Sequence, residues 1–398
     1  MIKTEDQLSI IPKGHDVTKR RGELMSKKIL NIGVVGAGAV ATSVHLPILT
    51  RRSDLFQVRA VADFNIEAAN HLADRFGIPA DSRFSSPLEM IASGKIDAIA
   101  IINSGSHCNL VVAALEAGLN VFCEKPLAYS KKEMLAIEVA LKGSSGHLMI
   151  GYMKTYDPAV TRARTAIGSK RPRTVDVLVL HPSGQSQLAT SEISVKGFRP
   201  SPELLAGFIE DSHKIATEAL GESAANAFGD EYGDIILGSI IHEFSVLRAL
   251  NIHITKIDFV DRWPRTSRSE SFVIHGRTED DVRVTIRWFF LNEYPMYQEE
   301  IRWVSESEGH HIIFPSPYIL RVPTKLLSTR RIGLAHEVST FESYEPSFEI
   351  ELVAFHDLAE TGDQMSDPIA AGYEDLALSQ LIAKKICEIE NIPIGGDL

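Results

Sequence analysis

The sequence holds no run of about 18 apolar residues, the length a helix needs to cross a bilayer, so no membrane partner is expected. It has no basic excess either: Lys and Arg number 41 against 52 Asp and Glu, a formal net charge of −11. Nucleic-acid binding usually shows a basic face, so no nucleic-acid partner is expected. Cysteine is scarce. Cys108, Cys123 and Cys387 are an odd, sparse set and not a disulfide framework. Their spacing fits no zinc motif, and no metal is expected. They read as small buried apolar residues of a protein kept in a reducing cytoplasm. Residues 1–28 lack the apolar stretch of a signal peptide. This arm is expected either to be disordered or to wrap a partner subunit. No internal repeat and no low-complexity tract is found.

What is present is material for two domains: 398 residues, 44% of them hydrophobic and 23% charged. From 29 to 151 short apolar runs alternate with amphipathic stretches. Buried strands are read at 29–35, 57–62, 98–102, 120–123 and 147–150, with helices at 39–51, 66–76, 108–117 and 131–141. Alternation with short loops implies parallel strands covered on both faces. Beyond 151 a helix is read at 158–167 and a strand at 174–181. The stretch 182–231, rich in Ser, Ala and Gly, is weakly periodic and reads as a long lid or binding loop. A strong helix at 234–250 precedes strand-like runs at 254–263, 271–276, 282–291, 300–305 and 310–314, which suggest an antiparallel sheet. Helices at 347–360 and 373–389 close the chain. The expected architecture is α/β: an arm (1–28), a Rossmann domain (29–151) and an α+β domain with an open, mostly antiparallel sheet (152–398). The helix at 373–389 is a candidate to pack back on the first domain.

The strand at 29–35 runs into Gly36-Ala37-Gly38-Ala39-Val40-Ala41, a G-x-G-x-x-A pattern at a strand-to-helix turn. Gly36 permits the tight turn, Gly38 lets the backbone approach a pyrophosphate, and the small Ala41 lets helix and sheet pack closely. The helix start at Ala39 and Val40 offers free N–H groups to the anion. The second strand ends in Asp63, an acidic residue placed to accept hydrogen bonds from ribose hydroxyls and to repel a 2′-phosphate. Neither Phe64 nor Asn65 is basic, so NAD is favoured over NADP as the cofactor.

The segment Val121-Phe122-Cys123-Glu124-Lys125-Pro126-Leu127-Ala128 resembles the glucose–fructose oxidoreductase, inositol dehydrogenase and rhizopine-catabolism (Gfo/Idh/MocA) family. The similarity extends through Val44-His45-Leu46-Pro47, His107, residues 114–118 and residues 151–159, and to 347–362 and 374–386. The resemblance implies a Rossmann domain joined to an open sheet that carries the substrate site and forms the interface of a homo-oligomer, a dimer or tetramer. It implies that Asn103, His107 and Glu124 lie along the dinucleotide, and that Lys125 reaches the reacting hydroxyl. A cis bond is expected at Lys125-Pro126. The implied activity is hydride transfer between NAD and a secondary hydroxyl of a sugar, polyol or inositol derivative.

Many members of that family carry Asp-x-x-x-His on the long helix of the second domain. Here His242 matches the histidine, and the position four residues earlier is Gly238. His242 is read as the general base with Lys125 polarising the hydroxyl. Asp234 shares its helix face and is a substrate-binding candidate, but eight residues of rise, roughly 12 Å, put it beyond hydrogen-bond reach of His242. Asp211 or His213 of the long stretch is a candidate to fill the gap at Gly238. Tyr152 and Lys154 are candidate ligands of sugar hydroxyls, and Tyr156 an alternative acid. His310 and His311 read as structural. Two other readings stay open: a glycosidase that oxidises its sugar transiently with bound NAD, and a non-catalytic NAD-binding regulatory protein.

Overall fold

The computed structural model describes residues 28–167, 171–184, 187, 202–265, 267–319 and 321–398. The expected arm lies outside the described residues except for Lys28, as do 185–186 and 188–201 of the long stretch.

The first half is a parallel sheet. Its strands are β1 (Leu30–Val35), β2 (Phe56–Ala62), β3 (Arg83–Phe84), β4 (Ala98–Ile101), β5 (Asn120–Glu124) and β6 (Leu148–Gly151), in spatial order β3-β2-β1-β4-β5-β6. The order reverses between β1 and β4, the crevice where doubly wound sheets bind ligands. The connecting helices are α1 (Leu46–Arg51), α2 (Ile66–Phe76), α3 (Pro87–Ala92), α4 (Cys108–Glu116) and α5 (Lys131–Gly143). A π-helical turn, Ala41–His45, leads into α1. Asn65 caps α2 by accepting from the N–H groups of Glu67 and Ala68, and Ser130 caps α5 by accepting from that of Glu133.

Strand alternation sends side chains to two cores. In β4, Ile99 and Ile101 face α4 and α5, while Ala98 and Ala100 face the other way, toward Phe122 of β5. That second face is completed from far down the chain. α6 (Pro158–Ile167) leads to the second half, and α10 (Ser347–Thr361) returns from it to bury Phe348, Leu352 and Phe355 against Phe122, Val44 and Ile48.

The second half is an eight-stranded sheet. Its strands are β7 (Thr174–His181), β8 (Ile254–Trp263), β9 (Ser271–Thr278), β10 (Arg283–Phe290), β11 (Gln298–Val304), β12 (Glu308–Phe314), β13 (Lys325–Ile332) and β14 (Ala335–Glu342). The order is β14-β13-β12-β11-β7-β10-β9-β8, and only β7 and β10 pair in parallel. The open, mostly antiparallel sheet agrees with the expectation. The hairpin β13–β14 is absent from the sequence reading because most of its residues are exposed on both faces, so no period-two burial pattern marks it.

Two departures bear on the cleft. The stretch read as a long loop contains two helices, α7 (Pro202–Leu220) and α8 (Glu222–Glu231). The helix read at 234–250 is a π-helical segment, Tyr232–Ile240, continued by α9 (Ile241–Ala249). Tyr232 anchors the segment by donating to the carbonyl of Tyr129 at 3.1 Å.

The last helix, α11 (Pro368–Glu390), packs on both halves. Tyr373 donates to Glu138 of α5 at 3.0 Å, and Asp375 takes Arg248 of α9 at 2.5 Å. Tyr152 also donates to Asp375, and the Arg248 guanidinium sits 4.9 Å above the Tyr152 ring. Tyr152 is therefore a buried bolt between the halves and not a substrate ligand: its only polar atom is spent on α11. Replacing Asp375 with Ala leaves a largely buried guanidinium without its carboxylate. The expected loss is about 3–5 kcal/mol of folding free energy, measured by urea unfolding.

Candidate active site

A cavity of about 620 Å³ lies between the ends of β4, β5 and β6 and the inner face of the second sheet. The cis peptide Lys125-Pro126, expected from the sequence, turns the chain at its floor. Two ties hold this turn to the loop after β4. His107 faces the carbonyl of Pro126 at 2.9 Å with Nδ1 and that of Asn103 at 2.8 Å with Nε2. Glu133 accepts from the Ser106 hydroxyl at 2.5 Å and from the Tyr129 N–H at 2.8 Å. His107 thus lines the cavity and braces the two loops, with its ring nitrogens facing backbone carbonyls.

Glu124 is similarly committed. One carboxylate oxygen lies 3.0 Å from Nε2 of the fully buried His45, and the other accepts from the Lys125 N–H at 3.3 Å. Burial works against its charge, but His45, Lys125 and His107 outweigh that and hold the carboxyl below the ordinary range.

The Lys125 ammonium crosses the cavity and donates to the carbonyl of Gly238 in the π-helical segment. Burial lowers its pKa, Glu124 opposes that change, and the neighbouring Lys154 adds to it. His242, one turn beyond Gly238, lines the same cavity with a buried Nδ1 that has no hydrogen-bond partner. Burial, then Lys125, Lys154 and His181, push its pKa well below the ordinary histidine value, so the ring is neutral. Among the described residues, no carboxylate is hydrogen-bonded to His242 in place of the missing Asp. Asp234 pairs with Arg268 at 2.8 Å, and His213 bonds Asn226 at 2.9 Å on the wall of a different cavity. A Cβ at Gly238 would meet the carbonyl oxygen of Gly233 at 3.1 Å, so the π-helical backbone itself crowds the place of a side chain.

The remaining polar residues come from strand parity. Val175, Val177 and Val179 of β7 point into the core, and His181 continues that row into the cavity. Trp288 and Phe290 continue the inward row of β10, and Tyr297 precedes the inward Glu299 of β11. Lys154, on the turn after β6, is buried 2.5 Å from Glu299 and 3.7 Å from Glu243, and Tyr297 donates to Glu299 as well. Burial drives Glu243 well above the ordinary carboxylate range. Sequence reasoning missed His181, Trp288, Tyr297, Glu243 and Glu299. For His181 and Glu299 the available signal was a polar residue standing at a core-facing position of an otherwise apolar alternation.

Tyr156 is corrected too. Its hydroxyl lies 3.9 Å from the Met149 sulfur in a separate small cavity, and burial raises its pKa, the opposite of what a proton donor at neutral pH needs.

The glycine turn fits a dinucleotide. Gly36 has φ +100°, and a Cβ there would strike the Asn103 backbone at 2.9 Å, whereas Gly38 faces open space. Asp63 accepts from the Ala37 N–H and the Asn65 N–H, both at 2.8 Å, and so braces the turn. Asn103 Oδ1 is buried without a partner at the edge of the cavity.

Residues 30–152 match the oxidoreductase family described as an NAD-binding Rossmann fold. An inositol 2-dehydrogenase of Corynebacterium glutamicum (strain R) is 33% identical over 144 residues, 36% of this chain and 42% of that protein. Inositol 2-dehydrogenase 4 of Saccharopolyspora erythraea is 32% identical over 136 residues, 34% of this chain and 39% of that protein. The chain thus spans less than half the length of these curated relatives. A 3-ketoreductase from Actinomadura kijaniata, solved with NADP and TDP-benzene, superposes with a TM-score of 0.67 at 14% identity over 90% of this chain and 98% of that one. UDP-N-acetylglucosamine 3-dehydrogenase from Acidithiobacillus ferrooxidans gives a TM-score of 0.65 at 17% identity, with the same coverage of 90% and 98%.

The neutral His242 has a pH signature. Below about 6.5 the unfolded ring takes up a proton that the folded ring refuses, so this residue's contribution makes stability fall as pH falls. Urea unfolding across pH 7 to pH 5 should show a shallower decline in His242→Gln than in wild type, by up to about 1.4 kcal/mol per pH unit. Identical slopes would mean that the ring titrates normally in the fold.

Proposed function

From the match of residues 30–152 to the Gfo/Idh/MocA oxidoreductase family, we propose that this chain is an NAD-dependent dehydrogenase acting on a secondary hydroxyl of a sugar, polyol or inositol derivative. The observation that carries the reading is Lys125: a half-buried ammonium that lines the cavity and donates to the Gly238 carbonyl across it, with its pKa lowered by partial desolvation. A binding protein has no use for such a group there; an alcohol dehydrogenase needs one.

The bound dinucleotide supplies the hydride acceptor. Gly36, Gly38 and the helix start at Ala39 and Val40 receive its pyrophosphate, and the carboxylate of Asp63 favours free ribose hydroxyls and thus NAD over NADP. Lys125 exchanges the proton of the substrate hydroxyl, since a lysine shifted down from its ordinary value is a better acid and is more easily present as a base. His242, kept neutral by burial and by two neighbouring ammonium groups, accepts a hydrogen bond from the hydroxyl and orients it. Lys154 fixes Glu299 and, through it, Tyr297 on the wall that faces the substrate. Trp288 and His181, ring centroids 5.9 Å apart, give that wall an aromatic surface suited to the apolar face of a sugar or cyclitol. The inositol 2-dehydrogenases among the relatives favour a cyclic polyol.

The test is a panel of inositols, polyols and sugars with NAD and with NADP, read by reduced-nicotinamide absorbance. Turnover on at least one cyclic polyol or sugar is expected, with NAD preferred. Lys125→Met should cost 10²- to 10⁴-fold in kcat while NADH still binds. His242→Asn should lower kcat and keep the wild-type pH profile. Loss of that profile in His242→Asn, with retention in Lys125→Met, would move the proton transfer to the histidine.

A homo-oligomer, dimer or tetramer, fits the outward face of the eight-stranded sheet, where Asp176, Arg287, Glu300 and Arg302 alternate in sign around a shallow depression. A self-complementary patch suits a twofold interface. Light scattering should give a multiple of the 43.9 kDa chain mass; a monomer at micromolar concentration overturns this part of the reading.

A further inference from the structure

Past Asn103, Gly105 and Tyr129 the cleft continues into a second cavity of about 710 Å³. One wall is the glycine turn with Asp63 and Phe64. The facing wall is α7, a helix outside the Rossmann half. Along that face run Phe208, Ser212, Ile215 and Ala216, at the spacing of one helical stripe. The stripe does not cover a packed core. Phe208 is 37% exposed and Phe64 45%, and their rings meet edge to face with centroids 5.6 Å apart.

The position of α7 is set by its far end. Glu218 takes Lys132 of α5 at 2.8 Å, and the Ala219 carbonyl accepts from the Asp397 N–H at 3.0 Å. Gly221, with φ +79°, abuts Gly395 so closely that a Cβ would lie 2.7 Å from its Cα. The helix is therefore held over the crevice by contacts that have no part in the cavity.

The cavity thus has a polar, anion-receiving side at the glycine turn and an aromatic corner opposite. A ligand with a flat aromatic body joined through a ribose to phosphates matches both. We propose that Phe208 of α7 and Phe64 together form the adenine-binding wall of the dinucleotide site, so that a helix outside the family's dinucleotide domain is a determinant of cofactor affinity. This inference rests on the dehydrogenase reading, since it takes the crevice to hold a dinucleotide.

The test uses the full chain and two probes, NADH and ADP-ribose, titrated by calorimetry. ADP-ribose carries the adenosine half and lacks the nicotinamide, so it reports on this wall without Lys125. Stacking of a base on an aromatic side chain sets the expected loss: Phe208→Ala should weaken both probes by roughly tenfold, and Phe208→Trp should retain affinity. Phe64→Ala in the Phe208→Ala background should add less than it does alone, because the two rings cover one ligand face. Wild-type affinity for ADP-ribose in Phe208→Ala overturns the proposal. A wild-type chain that binds neither probe overturns the dehydrogenase reading, and this inference with it.

Discussion

An ammonium drawn partly out of water must be compensated, and the way Lys125 is compensated organises the cleft. It stands just past the end of β5, partly withdrawn from water, and rests on a backbone carbonyl from the other half of the chain. That carbonyl belongs to Gly238, in a π-helical segment that carries no side chain at this place. A carboxylate there would pin the ammonium as an ion pair and raise its pKa. A neutral carbonyl holds it in position without restoring what burial removed. The departure at Gly238 therefore changes the balance of the site: the histidine becomes a weak base and the lysine an easier acid.

The same rule accounts for the second lysine. Lys154 sits between two buried carboxyls, Glu299 and Glu243. Two ionised carboxylates beside one ammonium would leave a net buried charge, which is costly in a low-dielectric interior. Burial instead favours the protonated form of Glu243. The cluster then stiffens that wall of the cavity by hydrogen bonds.

What could be read from the sequence was whatever depends on local pattern. The glycine turn, the position of Asp63 at the end of β2 and the parallel strands follow from short-range chemistry, while the cis bond at Lys125-Pro126 was implied by the family resemblance and is present. Less legible were features decided by distant contacts. Tyr152 and Tyr156 stand within five residues of a true cavity residue, Lys154, yet α11 claims one and Met149 the other. The resemblance places His107 along a dinucleotide, and the contacts between its ring nitrogens and two backbone carbonyls depend on loops that the sequence does not bring together. α7 is amphipathic, and it was hidden by its setting, a long Ser-, Ala- and Gly-rich stretch that reads as one loop. Glu299 was hidden for the opposite reason: alternation marks a core position but does not say which buried polar residue lies at the end of the sheet that opens on a cleft.

The helix α10 has one more implication. The stretch that matches the dinucleotide-binding family stops at residue 152, but the second face of that sheet is closed by Phe348, Leu352 and Phe355, nearly two hundred residues later. A fragment cut at the end of the matched stretch would leave Phe122 and the Ala98–Ala100 face bare, inviting self-association through an uncovered apolar surface. Dissection of this protein into modules, for crystallisation or for grafting its cofactor half onto another partner, would have to carry α10 along, by circular permutation or as a co-expressed segment.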